Sequence, residues 1–255
     1  MEITTALIQE IAAIAVKAGE AILEVYHSGE SIRVSLKADH SPLTIADQQS
    51  HDIIMQGLVR MNDYVPVLSE EGADIPYDTR KRWDEFWCVD PLDGTKEFIN
   101  RRDEFTVNIA LIQHRQPVLG VIYVPVYQTL YYGATGCGSW KQEKGKPAIA
   151  LQPDKATENW VAIGSRSHAS AAESEILNQY PVTETIAAGS SLKFCRIAEG
   201  AAQIYYRHGP TMEWDTAAGQ AIAENSGAVM TAADGTAFLY NKPSLLNGSF
   251  ICKVR

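Results

Sequence analysis

The first half of the chain has a pattern of apolar and polar positions that predicts two helices and several strands. Apolar residues recur at three- and four-residue steps from Ile3 to Val25, which indicates one amphipathic helix. Thr44, with Asp47 three positions later, predicts a second helix that extends to roughly Arg60. Strands are expected at 32–36, 65–68, 86–89, 105–111, 118–126 and 129–132, with a polar loop at 37–43. Neighbouring strands joined by short connections favour an antiparallel sheet.

The second half alternates strands with helices and therefore predicts an α/β arrangement. Strands are expected at 160–163, 185–187 and 204–206, and helices at 169–180, 192–201 and 216–225. The last helix is rich in Ala and Gly, which permits close packing. The composition turns polar at 152–159, so we expect an N-terminal α+β subdomain at 1–152 and a C-terminal α/β subdomain at 153–255.

The stretch Trp87–Thr95 combines an apolar run with a turn that carries two carboxylates, Asp90 and Asp93. Pro91 should end the strand, Gly94 can adopt a positive φ, and Thr95 can cap a short helix. Two carboxylates at a helix N-terminus make a place where metal cations and a phosphate could meet. The alternative is a polar turn whose aspartates only cap backbone groups.

Three further acids stand at the ends of predicted elements, where functional sites are common. Each has a structural interpretation: Asp47 closes a capping box, Glu70 is a solvated strand end, and Asp215 is a helix cap. For each acid taken alone, the structural interpretation is preferred over a functional one. The three acids taken together with the turn that carries Asp90 and Asp93 favour a functional site.

Composition narrows the classes of partner. Hydrophobic residues at 45% and charged residues at 21% describe an ordinary globular protein, and the net charge of −9 argues against a nucleic-acid polymer. The four cysteines are scattered, which favours reduced thiols in the cytoplasm over a zinc cluster or a disulfide framework. Charged residues near the N-terminus argue against a signal peptide or a membrane span. Peripheral contact with the cytoplasmic face of the inner membrane is the weaker alternative.

Three motifs together resemble the signatures of one family. Glu70-Glu71, the Asp-Pro-Leu-Asp-Gly-Thr segment at 90–95, and Trp214-Asp215-x-Ala217-Ala218-Gly219 are similar to motifs of the inositol monophosphatase superfamily of lithium-sensitive, magnesium-dependent phosphatases. The resemblance spans nearly the whole chain in order and spacing. It implies an α+β fold, a layered αβαβα sandwich with an N-terminal antiparallel sheet and a C-terminal α/β subdomain.

The resemblance also implies a metal site and a mechanism. Glu70, Asp90 and the Leu92 carbonyl would hold one Mg²⁺, and Asp90, Asp93 and Asp215 a second, with two or three ions in all. Thr95, oriented by Asp47, would position the attacking water, and amides near Gly94 and Thr95 would hold the phosphate. Attack would be in line, without a phosphoenzyme. Aspartate-nucleophile phosphatases are a poor alternative, because their two acids are spaced D-x-D.

Several segments are more similar to the bisphosphate nucleotidase branch than to the inositol branch: 37–47, 90–98, 165–168 and 189–195. This implies hydrolysis of adenosine 3′,5′-bisphosphate to AMP and phosphate in sulfate assimilation, with its 5′-phosphosulfate relative left open as a substrate. The second phosphate needs its own donors, and Ser190, Ser191 and Lys193 lie at the start of a predicted helix. By resemblance, His168 and Arg207 would complete the nucleotide pocket.

Alternatives remain for these residues and for the function. Lys193 and Arg207 could be surface charges, and His168 a helix cap. Hydrolysis of inositol phosphate or another sugar phosphate keeps the same chemistry. Anion binding without catalysis is the third hypothesis, and the retention of Asp47 and Thr95 speaks against it. We expect a monomer or a homodimer.

Overall fold

Two β-sheets and three layers of helices alternate through the molecule. The structure, a computed structural model, describes residues 1–28, 34–36, 42–72, 74–165 and 171–255. Helices α1 (Thr5–His27) and α2 (Ile45–Met61) cover one face of a seven-stranded sheet, and α6 (Leu192–Ala198) and α7 (Glu213–Ser226) lie on its other face. A five-stranded sheet follows, with α5 (Ala171–Leu177) packed against it. The order of layers is therefore αβαβα, as the resemblance to the inositol monophosphatase superfamily implies.

The seven-stranded sheet is built almost entirely from consecutive strands. Its order is β3-β4-β5-β6-β7-β8-β9, and all pairs are antiparallel except the parallel pair β3–β4. The bounds are β3 Val67–Ser69, β4 Glu85–Asp93, β5 Thr106–Gln113, β6 Gln116–Val124, β7 Thr129–Ala134, β8 Gly138–Glu143 and β9 Ile149–Ala150, with the short helices α3 (Tyr77–Arg80) and α4 (Thr95–Ile99) in the connections. The predicted meander is confirmed, but β8 and β9 were not predicted, because β8 is mostly polar and β9 has only two residues.

The predicted polar loop at 37–43 is partly wrong. Residues 37–41 lie outside the described residues, but β2 (Pro42–Thr44) pairs with β1 (Val34–Leu36) as an antiparallel hairpin. A two-stranded pairing needs only a few backbone hydrogen bonds, so it forms without the apolar alternation on which the prediction relied.

The large sheet is buried on both faces, and its residues alternate between two cores. Trp87, Val89 and Ile109 belong to the core under α1 and α2. Phe86 and Cys88 belong to the core that the sheet shares with α6, α7 and the second sheet. Because strand side chains alternate between faces, one strand supplies both cores.

The second half folds as the predicted α/β layer with shifted boundaries. Its elements are β10 Trp160–Ser165, α5 Ala171–Leu177, β11 Val182–Ala188, α6 Leu192–Ala198, β12 Ile204–Arg207, β13 Thr211–Met212, α7 Glu213–Ser226, β14 Val229–Ala232, β15 Leu246–Asn247 and β16 Phe250–Lys253. The sheet order is β11-β10-β12-β16-β14, with parallel pairs around β10 and antiparallel pairs around β16. The predicted helices at 169–180 and 192–201 end earlier, at Leu177 and Ala198.

Helix α7 packs unusually closely on the large sheet. A Cβ atom at Gly120 would lie 2.4 Å from the carbonyl oxygen of Ala218, and one at Gly133 would lie 2.9 Å from the Cα of Ile222. Small residues on both surfaces therefore allow contact between the helix and the sheet backbone, as the composition of this helix predicts.

No helix in the described ranges is both long enough and apolar enough to cross a lipid bilayer.

Candidate active site

The Asp90–Thr95 turn is a bulge in β4 rather than the end of a strand. Asp90 pairs with Asn108, Asp93 pairs with Thr106, and the register shifts between them. The expectation that Pro91 ends the strand is therefore wrong, because a proline is tolerated at a bulge. The Pro91 carbonyl instead accepts a hydrogen bond of 2.7 Å from the Ser50 hydroxyl.

The end of this turn differs in detail from the prediction. Gly94 has a φ of +91°, as expected, and it occupies the N-cap position of α4. Thr95 is therefore the first helical residue and not the cap. Its hydroxyl lies 3.2 Å from Asp47 Oδ1 and 3.3 Å from the Leu92 carbonyl oxygen. A hydroxyl has a single proton, so it donates to one of the two at a time.

Asp47 is fixed by the capping box that the sequence predicts. Its Oδ2 accepts a hydrogen bond of 2.7 Å from the backbone N–H of Thr44, and the Thr44 hydroxyl donates to the same oxygen. The carboxylate is almost fully buried. The structural and functional interpretations of Asp47 are therefore compatible, since one oxygen caps α2 while the other faces Thr95.

The structure brings three of the predicted metal ligands into one cluster. Oxygen atoms of Glu70, Asp90 and Asp215 all lie within 4.8 Å of one another. Glu70 follows β3, and its backbone N–H donates to the Val89 carbonyl at 3.1 Å, which keeps it beside β4. Carboxylates at this separation are the hard oxygen donors that divalent cations require.

Asp93 sits beside this cluster and is held by two polar side chains. Its Oδ2 accepts hydrogen bonds from the Ser191 hydroxyl at 2.7 Å and from the Asn108 amide at 3.2 Å. Asn108 also donates to Ser191 Oγ at 2.9 Å. The Ser191 hydroxyl therefore contacts Asp93 from the C-terminal half of the chain, and it also lies 2.8 Å from the Asp215 carbonyl oxygen. Its contact with substrate stays a prediction.

Asp215 lies in the first turn of α7 and caps it. Its Oδ2 accepts a hydrogen bond of 2.8 Å from the Met212 N–H. The adjacent Glu213 is fully buried and ion-paired with Lys242 at 2.7 Å, and it also accepts the Asn241 N–H at 2.7 Å. These contacts fix the start of α7, so they also fix the position of the Asp215 carboxylate.

The negative charge of the cluster favours the binding of cations. Burial raises the pKa of Asp90 well above its usual range, and the neighbouring Glu70, Asp93 and Asp215 raise it further. Burial likewise raises the pKa of Asp215, with Asp93 as the next cause. Without a positive partner, full ionisation of these acids is unfavourable. A divalent cation would remove this penalty, so the residues present fit a metal site.

A second group of predicted residues lines one cleft with Asp93 and Asp215. Lys193 and Arg207 are both buried in it, so the alternative that they are surface charges is wrong. Lys193 donates to the Ser190 carbonyl and lies 5.5 Å from the centre of the Tyr205 ring. Burial lowers the pKa of Lys193, and Asp93 opposes that shift.

Two buried polar atoms of this cleft have no hydrogen-bond partner among the described residues. Arg207 donates through Nη1 to Ser165 at 3.2 Å and through Nη2 to the Pro210 carbonyl at 3.4 Å, but its Nε is unpaired. The Ser190 hydroxyl is also unpaired, on a residue with a φ of +46°. Buried polar atoms normally have partners, so these atoms point to a ligand. His168, the remaining predicted residue, lies outside the described residues.

Three supporting groups were missed from the sequence: Asn108, the Glu213–Lys242 pair, and Glu97, which also lines the cleft. The sequence does contain an indication of Asn108, since this is the single polar residue in the apolar run Val107–Leu111. It contains no indication of the Glu213–Lys242 pair, because the two residues are distant in sequence and an ion pair leaves no periodic pattern.

Comparisons with known proteins show the family and the fold of the chain. A family model described as "Inositol monophosphatase family" matches residues 4–253. The 3′(2′),5′-bisphosphate nucleotidase CysQ of Shigella flexneri is 47% identical over 246 residues, which cover 96% of this chain and 98% of that protein. The crystal structure of CysQ from Bacteroides thetaiotaomicron, 41% identical, superposes with a TM-score of 0.86 over 98% of this chain and 97% of its own. The extragenic suppressor protein suhB of Bartonella henselae shares the fold at 23% identity, with a TM-score of 0.80 and coverage of 98% and 94%.

We predict that Asp90→Asn stabilises the metal-free protein. The raised pKa means that the native state retains protons that the unfolded chain releases, so metal-free stability falls as pH rises above about 4. The asparagine removes the charge but keeps an oxygen to accept the Leu92 N–H. Thermal unfolding with chelator at pH 7.5 should show a Tm higher by about 2–4 °C for each kcal/mol gained.

Asp63→Asn is the matched control, because Asp63 is exposed and is not one of the clustered acids. It should leave the metal-free Tm unchanged. Added Mg²⁺ should raise the Tm of the wild type and of the control but not that of Asp90→Asn. A metal-free Asp90→Asn protein less stable than the wild type would contradict the electrostatic argument.

We predict that Ser191→Ala weakens cation binding without unfolding the protein. The hydroxyl orients Asp93, and loss of such a supporting contact typically costs about 10–100-fold in metal affinity. Calorimetric titration with Mg²⁺ measures this directly. Ser226→Ala, at the far end of α7, is the control. Equal Mg²⁺ affinity in both variants would show that Ser191 does not support the metal site.

Proposed function

The chain belongs to the inositol monophosphatase family, whose members depend on metal ions, and from this membership we propose that it is a Mg²⁺-dependent 3′(2′),5′-bisphosphate nucleotidase. The reaction would convert adenosine 3′,5′-bisphosphate to AMP and phosphate. The relatives that support this proposal carry the name CysQ and match over nearly their full length. Phosphoadenosine phosphosulfate is a second substrate that the same site would accept.

The observation that carries the proposal is that two of the predicted metal ligands and two buried cationic side chains line one cleft. These residues are Asp93, Asp215, Lys193 and Arg207. Burying a lysine and an arginine is unfavourable without anionic partners. A substrate with a second phosphate supplies that partner, whereas an inositol monophosphate does not.

The chemistry of the donors supports Mg²⁺ as the cation. Glu70, Asp90 and Asp215 would hold it together with the Leu92 carbonyl, and Asp93 would complete a site for two or three ions. Such ions, when bound, supply Lewis-acid activation of water and stabilise the leaving oxygen. Inhibition by Li⁺ is expected as a property of the family.

The remaining residues would orient the nucleophile and the substrate. When the Thr95 hydroxyl donates to Asp47, its oxygen is free to accept a hydrogen bond from a water molecule. Thr95 and Asp47 are therefore the proposed catalytic pair. Gly94 and Thr95 amides would contact the scissile phosphate, and Ser190, Lys193, Arg207 and His168 would contact the rest of the nucleotide.

The proposal also includes a division of the chain into two subdomains. The part up to 152 would form one subdomain that carries most metal ligands, and 153–255 a second one that carries Asp215 and the nucleotide-binding residues. The expected monomer or homodimer, the cytoplasmic location and the peripheral membrane contact stay predictions.

We predict that purified protein with Mg²⁺ hydrolyses adenosine 3′,5′-bisphosphate with a kcat/KM at least about tenfold above that for inositol 1-phosphate. Phosphate release on both substrates, with Mg²⁺ and with excess chelator, measures it. Full activity with chelator would overturn the metal mechanism, and preference for inositol 1-phosphate would favour the alternative substrate class.

Thr95→Ala should lower kcat by about 10²–10⁴-fold with little change in KM, because general acid–base positioning acts mainly in the transition state. Thr95→Ser, which keeps the hydroxyl, is the matched control and should retain most of the activity. A loss expressed only in KM would argue that Thr95 binds substrate rather than water.

A further inference from the structure

Glu97 places a third carboxylate in the cleft, beside the predicted metal ligands Asp93 and Asp215. It lies in the first turn of α4 and lines the cleft with Asp93 and Lys193. Its side chain is partly buried. Glu97 is not one of the clustered acids, and it acts on Lys193 only as one of the nearby charges that oppose the lowering of the pKa of Lys193, without an ion pair to it.

The side chain occupies a narrow space between two glycines. A Cβ atom at Gly94 would lie 3.4 Å from Glu97 Oε2, and a Cβ atom at Gly189 would lie 3.0 Å from Glu97 Cγ. The N–H of Gly189 donates to Glu104 at 2.9 Å, which holds that loop in place. The Glu97 carboxylate is therefore directed at the Asp90–Thr95 turn, where the scissile phosphate is proposed to bind.

Glu97 has unused hydrogen-bonding capacity. Within the described part of the chain, no group donates a hydrogen bond to its carboxylate or forms an ion pair with it. Lys193, the nearby cation, donates to the Ser190 carbonyl. A carboxylate accepts hydrogen bonds and repels phosphate, so its natural partner next to a bound phosphate is a neutral donor.

We propose that Glu97 is a specificity-determining residue that accepts a hydrogen bond from the hydroxyl on the carbon next to the one that carries the scissile phosphate. In adenosine 3′,5′-bisphosphate this is the ribose 2′-hydroxyl, so the inference rests on the proposed function. A carboxylate at this position also rejects a substrate with a phosphate in place of that hydroxyl. Dinucleotide-binding folds use an acidic residue on a ribose hydroxyl in the same way.

The test compares adenosine 3′,5′-bisphosphate with its 2′-deoxy analogue in the wild type, Glu97→Ala and Glu97→Gln. The wild type should prefer the ribonucleotide by at least about tenfold in kcat/KM, since a site built to bind a hydroxyl discriminates against its absence. Glu97→Ala should bring this ratio to within about threefold of unity. Glu97→Gln keeps a neutral acceptor and should give an intermediate ratio. Lys96→Ala, an exposed neighbour on the same helix, should keep the wild-type ratio.

The outcomes separate this inference from the proposed function. A wild type that hydrolyses both nucleotides equally well would overturn the role of Glu97 and leave the nucleotidase assignment standing. Equal losses on both substrates in Glu97→Ala would overturn it as well, because they would indicate a purely structural side chain. If the wild type hydrolyses only sugar phosphates, the nucleotidase assignment fails. The same ratio is then measured on inositol 1-phosphate and its deoxy analogue at the adjacent carbon, where a ratio that Glu97→Ala does not reduce overturns the inference.

Discussion

The close contact between α7 and the large sheet is the constraint on which the site depends. Glycines on β6 and β7 let the helix backbone approach the sheet, so that a Cβ atom at Gly120 would meet the Ala218 carbonyl at 2.4 Å. Asp215 lies in the first turn of this helix and Asp90 lies on β4 of the sheet, so the spacing of the two layers sets the spacing of the two carboxylates. Ligand distances in metal sites tolerate deviations of only about 0.2 Å. Any larger residue that moved α7 outward would therefore separate ligands that it never contacts.

The electrostatic cost of gathering these acids is opposed by dedicated hydrogen bonds. Asp90, Asp93 and Asp215 each accept a hydrogen bond from their own element or from a neighbouring one. These bonds keep the carboxylate oxygens oriented before any cation binds. These donors are the N–H groups of Leu92 and Met212 and the side chains of Ser191 and Asn108. Such bonds favour the ionised form but do not remove the mutual repulsion, so the pKa of Asp90 stays raised. The fold thus holds a destabilised site in place through the packing of two large cores, a common relation between stability and function.

The features that could be predicted from the sequence are those that depend on local residue patterns. The capping box of Thr44 and Asp47, the amphipathic α1 and the meander of strands each depend on residues close in sequence, and the structure confirms them. The bulge at Pro91 could not be predicted in this way, because Ser50 and the β5 register hold it across the fold. The same holds for Lys193, whose burial depends on the tertiary arrangement of the aromatic ring and loop around it.

The mixture of charges in the cleft offers a physical reason for selectivity that does not need a close shape match. Acids that require cations and the buried Lys193 and Arg207 line the same cleft. A ligand with two phosphates on a neutral sugar has one phosphate for the bound cations and one for the two basic side chains. Glu97 lines the same cleft, and its carboxylate accepts no hydrogen bond and forms no ion pair in the described part of the protein, so it repels any further negative charge. Discrimination at this point therefore requires both an attraction for hydroxyl and a repulsion of phosphate, and one carboxylate supplies both.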